Sequence, residues 1–243
     1  MRVLLTGAGG YLGRGMIPAF EHHKHTLRLM DVHPFETPHE MVAGSVADLD
    51  SVRNAVRGMD AIVIAHMAKN PDAYVDPTLP FDINVKGTAN LLFAAAEQKV
   101  NKVVLISSGG VTSKHDVAAH HHTLPPKTKG LYYLTKVLQE VTAEHMSREA
   151  GISVAALRIG YIVDGETRLD KYGRTVDKPH PQLTDRGDVG EVACLCLERN
   201  DITYEVFPVV GVKSAITQYD TLHTRQRLGW TPKYDFAWLE AQS

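Results

Sequence analysis

The sequence predicts an α/β fold built on a doubly wound parallel sheet. Short β-branched runs bounded by Gly, Pro or Asp alternate along the 243 residues with longer stretches of helical periodicity, which is the order of successive strand–helix–strand units. Two runs, Ala61–Ala65 and Val103–Ile106, are apolar without alternation, as expected of strands that helices cover on both faces. The hydrophobic fraction of 44% and the charged fraction of 22% are ordinary for a globular protein.

The predicted elements follow one another without an internal repeat. Five strands are expected, at Arg2–Thr6, Leu27–Asp31, Ala61–Ala65, Lys102–Ile106 and Ser153–Arg158. Helical patterns separate and follow them, at Tyr11–His23, Leu49–Arg57, Phe81–Gln98, Leu131–Ala150, Asp188–Arg199 and Thr217–Leu228. Between Asp164 and Gly187 the periodicity fails, and a long irregular segment in a compact chain is usually a lid, a binding loop or disorder.

The charge balance argues against several classes of partner. Lys and Arg number 26 against 28 Asp and Glu, a net charge of −2, whereas nucleic acids and anionic membranes attract a clustered excess of basic residues. No run approaches the ~18 apolar residues of a membrane-spanning helix, and the first apolar run is too short for a signal peptide. We therefore expect a cytoplasmic protein with no nucleic-acid or membrane partner. Its two cysteines, Cys194 and Cys196, make no disulfide framework or zinc set, and we expect buried thiols.

A glycine-rich turn joins the first predicted strand to the first predicted helix. It reads Thr6-Gly7-Ala8-Gly9-Gly10-Tyr11-Leu12-Gly13. Glycines there permit a tight turn and bring backbone N–H groups close to a pyrophosphate, which the positive end of the helix also attracts. The alternative is a merely structural turn. We predict a Rossmann-type dinucleotide site whose members in this turn are Gly7, Gly10, Tyr11, Leu12 and Gly13.

An acidic residue, Asp31, ends the second predicted strand. A carboxylate at that place accepts hydrogen bonds from the adenosine ribose and would repel the 2′-phosphate of NADP. The sequence therefore favours NAD. The alternative is that Asp31 only caps a turn before Pro34.

Two further segments point to chemistry. Leu105-Ile106-Ser107-Ser108-Gly109-Gly110 closes the fourth predicted strand, and Gly130-Leu131-Tyr132-Tyr133-Leu134-Thr135-Lys136 begins the long helix after it. Tyr132 and Lys136 are four residues apart and share one helix face. An ammonium ~4 Å from a phenolate is worth roughly 4 kcal/mol at an effective dielectric of 20, about three pK units. The pair is therefore a candidate acid/base, with an accidentally amphipathic helix as the alternative.

Taken with the glycine turn, these ordered segments resemble the extended short-chain dehydrogenases/reductases of the NAD-dependent epimerase/dehydratase type. Within that group the chain is similar to uronate dehydrogenases, which oxidise a sugar acid at C1. The resemblance implies NAD as the cofactor, a sugar or sugar-acid hydroxyl as the substrate, and a homodimer packed through the helices that carry Asn84 and Tyr132. It also implies that Tyr132 is the acid/base, that Lys136 binds the nicotinamide ribose and acidifies Tyr132, and that Ser108 holds the reacting oxygen. Ser107 competes with Ser108 for the last role. The segments that carry the narrower likeness are Leu27–Asp31, Gly130–Lys136, Leu157-Arg158-Ile159-Gly160 and Leu228–Lys233.

The resemblance also places two cofactor residues. Met67, in the turn His66-Met67-Ala68, lies where the family flanks the cofactor, although His66 itself reads better as a packed turn residue. Asn84 matches an asparagine that holds the active-site backbone, with a polar helix-start residue as the alternative.

The chain is expected to be one compact unit, 1–243, in which 1–160 is mainly the NAD-binding Rossmann core. Residues 161–243 are mainly a small substrate-binding portion and a C-terminal helix.

Two departures from the family pattern leave the recognition of adenine and the substrate open. The family's Gly-Asp-Leu, with its adenine-binding Asp, is Gly44-Ser45-Val46 here, and an Asn-His pair of uronate dehydrogenases is Gly109-Gly110. Gly109 is kept as a substrate-site residue, and Arg174 is chosen from the basic side chains of 164–187 to meet a carboxylate or phosphate. A nucleotide-sugar epimerase or dehydratase and a non-catalytic NAD-sensing protein stay as alternatives.

A run of histidines, His120-His121-His122 with His115 nearby, invites a metal-binding interpretation. No Cys or carboxylate set at ligand spacing accompanies it, and hydride chemistry belongs to the nicotinamide. We expect a solvent-exposed loop and no metal.

Overall fold

The structure is a computed structural model that describes residues 1–68, 74–111, 130–213, 215 and 220–240. The strands are β1 (Arg2–Thr6), β2 (Thr26–Asp31), β3 (Glu40–Ala43), β4 (Ala61–Ile64), β5 (Lys102–Ser108), β6 (Ser153–Ile159), β7 (Tyr161–Val163), β8 (Leu183–Asp185) and β9 (Tyr204–Val209). The helices are α1 (Tyr11–His22), α2 (Leu49–Val56), α3 (Thr78–Pro80), α4 (Gly87–Gln98), α5 (Leu131–Ala150), α6 (Arg186–Glu198), α7 (Thr221–Leu228) and α8 (Ala237–Glu240).

Seven of these strands form one parallel sheet in the order β3-β2-β1-β4-β5-β6-β9. Successive side chains of β1 point to opposite faces. Leu5 packs with Phe20 of α1 and Val189 of α6 on one face, whereas Leu4 packs with Leu91 of α4 on the other. Helices therefore cover both faces, and the predicted doubly wound α/β fold is confirmed. The strand order reverses beside β1, which opens a crevice at the carboxyl ends of β1 and β4.

Two strands of the sheet were missed by the sequence prediction, and both lie at its edges. β3 is a four-residue strand whose side chains are exposed or only partly buried, so it lacks an apolar signal. β9 contains Pro208, which argues against a central strand but is tolerated where one side of the strand needs no hydrogen-bonding partner. The prediction was therefore incomplete where hydrophobicity is weak or proline interrupts it.

The helix predicted at Phe81–Gln98 is divided in the structure. α3 runs into a π-helical stretch at Phe81–Lys86, and α4 continues from Gly87. Wider helical turns of this kind are frequent at functional sites, and this one carries Asn84, which is fully buried.

The last two predicted helices begin at different residues from those expected. α6 begins at Arg186 rather than Asp188, because the Asp185 carboxylate accepts from the N–H groups of Gly187 and Asp188 at 2.8 and 3.0 Å and caps it there. α7 begins at Thr221, and the part of its predicted range at 217–219 lies outside the described residues. The cysteines Cys194 and Cys196 lie on α6 as buried free thiols, as predicted.

The segment predicted to be irregular, Asp164–Gly187, is organised by aspartates. Asp164 accepts from the backbone of Glu166 and Thr167 at 3.0 Å each and pairs with Arg186. β7 and β8 flank most of the segment as a second, two-stranded parallel sheet. No helix within the described parts of the chain is long and apolar enough to cross a membrane.

Candidate active site

The glycine turn forms a backbone cradle with no room for side chains. A Cβ on Gly7, which has φ +67°, would lie 2.7 Å from Cα of His66. A Cβ on Gly13 would lie 2.4 Å from the carbonyl oxygen of Gly7. No side chain caps α1 at Gly10 within the described structure, so the positive helix end faces the cradle. This arrangement fits a pyrophosphate held by backbone N–H groups.

Asp31 lies beside this cradle. One oxygen of its carboxylate accepts from the N–H of Gly9 at 2.9 Å, and the other accepts from the N–H of His33 at 3.1 Å. The side chain therefore caps the turn after β2 and also faces the glycine turn. A carboxylate in this place fits a ribose diol and opposes a 2′-phosphate.

The side chains of Tyr11 and Leu12 are used by the fold. The Tyr11 hydroxyl donates to the carbonyl of Leu169 at 2.6 Å, and the guanidinium of Arg186 lies 4.9 Å from the centre of its ring. Leu12 packs against the core on the α1 side of the sheet. Tyr11 thus ties the glycine turn to the segment after β7.

Tyr132 and Ser108 meet at the carboxyl end of β5. Their side chains are hydrogen-bonded, and burial raises the pKa of Tyr132 to about 12 despite that bond. The Tyr132 ring also makes edge contacts with Tyr74 and Tyr133, at centroid distances of 5.5 and 5.1 Å. Ser107, by contrast, is buried and donates to Glu140. Of the two candidate serines, Ser108 is the one that the structure brings to Tyr132.

Lys136 lies one helical turn after Tyr132 and is buried. Its Nζ donates to the carbonyl of Ile106 at 2.8 Å. Burial lowers the pKa of Lys136 to about 8, and the attraction of Glu140 opposes that shift. The ammonium is therefore held beneath the same strand end that presents Ser108.

Asn84 ties together the elements around the site. Its Oδ1 accepts from the N–H of Ala68 at 2.7 Å, and its Nδ2 donates to Tyr74 Oη at 3.2 Å and to Thr135 Oγ1 at 2.9 Å. These bonds occupy both amide hydrogens and fix the turn after β4 against α5. Met67, in that turn, is 39% exposed.

His66 is packed in the same turn, as the sequence predicted. Its Nδ1 lies 3.0 Å from Thr6 Oγ1. Burial, with the positive charge of Lys136 nearby, lowers the pKa of His66 to about 3. The imidazole is therefore neutral at physiological pH.

The two departures from the family pattern, at Ser45 and at Gly109-Gly110, have different surroundings in the structure. Ser45 accepts from the N–H of Ala47 at 3.2 Å and serves the turn before α2. A Cβ on Gly110 would lie only 2.0 Å from Cε1 of Tyr133, so the Tyr133 ring fills the space of a missing side chain. Tyr133 was not predicted to be a site residue because no lysine lies four residues after it. The adjacent glycines Gly109 and Gly110 were the available signal.

Arg174 is built into the segment after β7. Its guanidinium pairs with the buried carboxylate of Asp170 at 2.8 Å and donates to Tyr161 Oη at 3.3 Å, while its side chain is 66% exposed. His115 and the run His120–His122 lie outside the described residues. Among the residues that are described, no three His, Cys, Asp or Glu side chains form a group that could hold a metal ion.

A parallel sheet whose strand order reverses beside β1, with a glycine turn at the crevice formed there, is the architecture of a dinucleotide-binding Rossmann fold. Residues 3–170 match the NAD dependent epimerase/dehydratase family, and the chain belongs to that family. The assignment confirms the predicted family, enzyme class and cofactor, NAD.

Individual relatives act on different substrates. The NAD-dependent glucose-6-phosphate dehydrogenase of Haloferax volcanii is 26% identical over 257 residues, covering 95% of this chain and 92% of that enzyme. The uronate dehydrogenase of Pseudomonas syringae is 31% identical over 169 residues, covering 65% of this chain and 58% of that enzyme. A short-chain dehydrogenase/reductase superfamily protein from Agrobacterium tumefaciens with bound NAD shares the fold, with a TM-score of 0.80, 20% identity and coverage of 99% and 95%.

Proposed function

We propose that this protein is an NAD-dependent dehydrogenase that oxidises a hydroxyl of a sugar or sugar acid. The observation that carries the proposal is the Ser108–Tyr132 hydrogen bond at the end of β5, with Lys136 buried one helical turn away. The dehydrogenases of Haloferax volcanii and Pseudomonas syringae, named for a sugar phosphate and for uronates, support the substrate class.

Tyr132 is the proposed acid/base. With a pKa of about 12 the phenol is protonated in the free enzyme, so it needs a nearby positive charge to accept a proton near neutral pH. Lys136, with a pKa of about 8, is mostly an ammonium at pH 7. An ammonium ~4 Å away would lower a phenol pKa by roughly three units at an effective dielectric of 20, from about 12 to about 9, and the positive charge of a bound nicotinamide would lower it further. The proton of the substrate hydroxyl then moves to Tyr132 Oη while Ser108 holds the hydroxyl oxygen.

The proposed cofactor residues lie at the ends of β1, β2 and β4 and on α5. The backbone of Gly7, Gly10, Tyr11, Leu12 and Gly13 would hold the pyrophosphate, and Asp31 would bind the adenosine ribose. The turn containing Met67, which Asn84 fixes, would flank the nicotinamide, and Lys136 would bind its ribose. When bound, NAD supplies the hydride acceptor.

The substrate would enter from the other side of Ser108 and Tyr132. Gly109 and Gly110 place no polar side chains of their own on that side of the proposed substrate pocket. Residues 161–243 would form most of the remaining pocket. Arg174 is the proposed partner of a substrate carboxylate or phosphate, because its exposed guanidinium already has its orientation set by the buried Asp170.

The test is NADH formation, followed by absorbance, with NAD and a panel of uronic acids, aldoses, sugar phosphates and nucleotide sugars. Tyr132→Phe should abolish the signal, because it removes the hydroxyl and keeps the ring. Tyr133→Phe is the matched control and should retain activity. Unchanged turnover in Tyr132→Phe would refute the mechanism. Conversion of a nucleotide sugar without NADH accumulation would indicate an epimerase or dehydratase, and NAD binding without turnover would indicate a sensor.

The proposal includes a homodimer formed through α4 and α5. Phe93, Leu134 and Val141 are 50%, 41% and 53% exposed on these adjacent helices, and such a face favours burial against a second copy. Sedimentation of the wild type against Leu134→Asp tests it, because the charged variant should be monomeric.

We place the enzyme in the cytoplasm, since free buried thiols are typical of a reducing compartment.

A further inference from the structure

The helix that presents Tyr132 and Lys136 also carries Glu140, which accepts a hydrogen bond from Ser107 on β5 and forms a buried ion pair with Arg158 on β6. We infer that Glu140, held by Arg158, is a positioning residue that fixes α5, with Lys136 one helical turn away, against β5. The inference rests on the proposed Tyr132–Lys136 chemistry and adds two residues to it.

Three consecutive residues of β5 meet three residues spaced one turn apart on α5. The carbonyl of Ile106 accepts from Lys136 Nζ at 2.8 Å, Ser107 donates to Glu140 Oε1, and Ser108 is hydrogen-bonded to Tyr132. Residues 132, 136 and 140 lie on one face of a helix because successive members are four apart. The Ser107–Glu140 bond therefore sets the same strand–helix register that the two reacting groups need.

Arg158, on the neighbouring strand β6, holds the Glu140 carboxylate from the other side. Its Nη2 lies 2.8 Å from Oε2 and its Nε donates to Oε1 at 3.1 Å. Both side chains are only 5% exposed, and a buried two-point pair of this geometry fixes orientation as well as charge. The pair joins β5, β6 and α5 beneath the site, where a shift of one element would move the Ser108–Tyr132 contact.

The charged and titratable groups around Lys136 come from four elements. Glu140 lies one turn later on α5, Arg158 lies on β6, and the neutral His66 lies at the end of β4. Tyr204, on β9, is buried near Glu140 and Arg158, and burial raises its pKa far above the usual value. Of these groups, Glu140 is the one whose attraction opposes the lowering of the Lys136 pKa by burial.

The test compares Glu140→Gln with Glu144→Gln, which removes a carboxylate one turn further along the same helix, where it pairs with the exposed Arg148. In Glu140→Gln the pKa of Lys136 should fall by about one unit, and the alkaline limb of the kcat–pH profile should move down equally. The value of kcat should fall on the order of 10-fold to 100-fold. Glu144→Gln should leave both quantities unchanged.

Two milder variants separate the charge of Glu140 from the length of its side chain. They also distinguish a positioning effect from a folding defect. Ser107→Ala deletes only the strand–helix bond, so it should lower kcat and leave the Lys136 pKa in place. Glu140→Asp keeps the charge with a shorter side chain, and it should behave like Ser107→Ala. If both retain wild-type kcat, the positioning role is refuted.

The pKa of Lys136 is read without catalysis, by NMR titration of ¹³Cε-labelled lysine assigned with Lys136→Arg. A folded Glu140→Gln protein with an unmoved Lys136 resonance would refute the electrostatic role. If the wild type turns over no substrate, the proposed function fails instead, and the titration still decides whether Glu140 holds the charge of Lys136.

Discussion

Replacing Gly110 with alanine should destabilise the protein, because the Tyr133 ring occupies the space of the new methyl group. The added Cβ would lie 2.0 Å from Cε1 of Tyr133 and within 2.9 Å of two further ring atoms. Ordinary van der Waals contact begins at 3.4 Å, so the ring must move by about 1.4 Å. The ring is restrained on its other side by Tyr132, at a centroid distance of 5.1 Å.

The expected cost is that of overpacking a filled site, about 1–3 kcal/mol. For a chain of this size each kcal/mol lowers the melting temperature by roughly 2–4 °C. Gly109→Ala is the matched control, since among the described residues its Cβ would meet only the carbonyl oxygen of Ile159, at 3.4 Å. It should change stability far less than Gly110→Ala does.

The assay is denaturant unfolding of Gly110→Ala, Tyr133→Ala and the double variant. Tyr133→Ala frees the space, so adding Gly110→Ala to it should cost little, and the cycle should show a coupling free energy of about 1–2 kcal/mol. Additive effects, or equal stability of Gly110→Ala and Gly109→Ala, would refute the conclusion that Tyr133 replaces a side chain at position 110.

Three other perturbations test the glycine turn, the buried Asp188 and the partly buried His23. Gly13→Ala should weaken NAD binding in calorimetry, because its Cβ would lie 2.4 Å from a cradle carbonyl; unchanged affinity would place the pyrophosphate elsewhere. Burial raises the pKa of Asp188 from 3.8 to about 6, so the fold favours its protonated form. Unfolding free energy should fall by about 2 kcal/mol as pH rises from 4 to 6, and urea titrations of Asp188→Asn should lack that fall. Although burial opposes it, Glu198 and Glu191 raise the pKa of His23. The stabilisation is full below the unfolded pKa of 6.5 and is lost as pH rises through the folded value, so His23→Gln should lose stability at pH 5.5 and little at pH 9.

The elements that the sequence predicted well carry their signal in neighbouring residues. The glycine turn, the apolar strands such as Ala61–Ile64 and the spacing of Tyr132 and Lys136 depend on steric and periodic rules that act over a few residues. The edge strands were missed for two reasons. β3 has no buried apolar face, and Pro208 interrupts the apolar run of β9.

The sequence by itself determined the parallel α/β class, the NAD cradle and the Tyr132–Lys136 pair, since each depends on local spacing. Only the tertiary structure decided between Ser107 and Ser108, because the choice depends on which hydroxyl faces α5 at Glu140 and which faces Tyr132. It alone brought Arg158 to Glu140 and Tyr133 to Gly110. These partners are 18 and 23 residues apart, on different elements, and no local rule fixes their register.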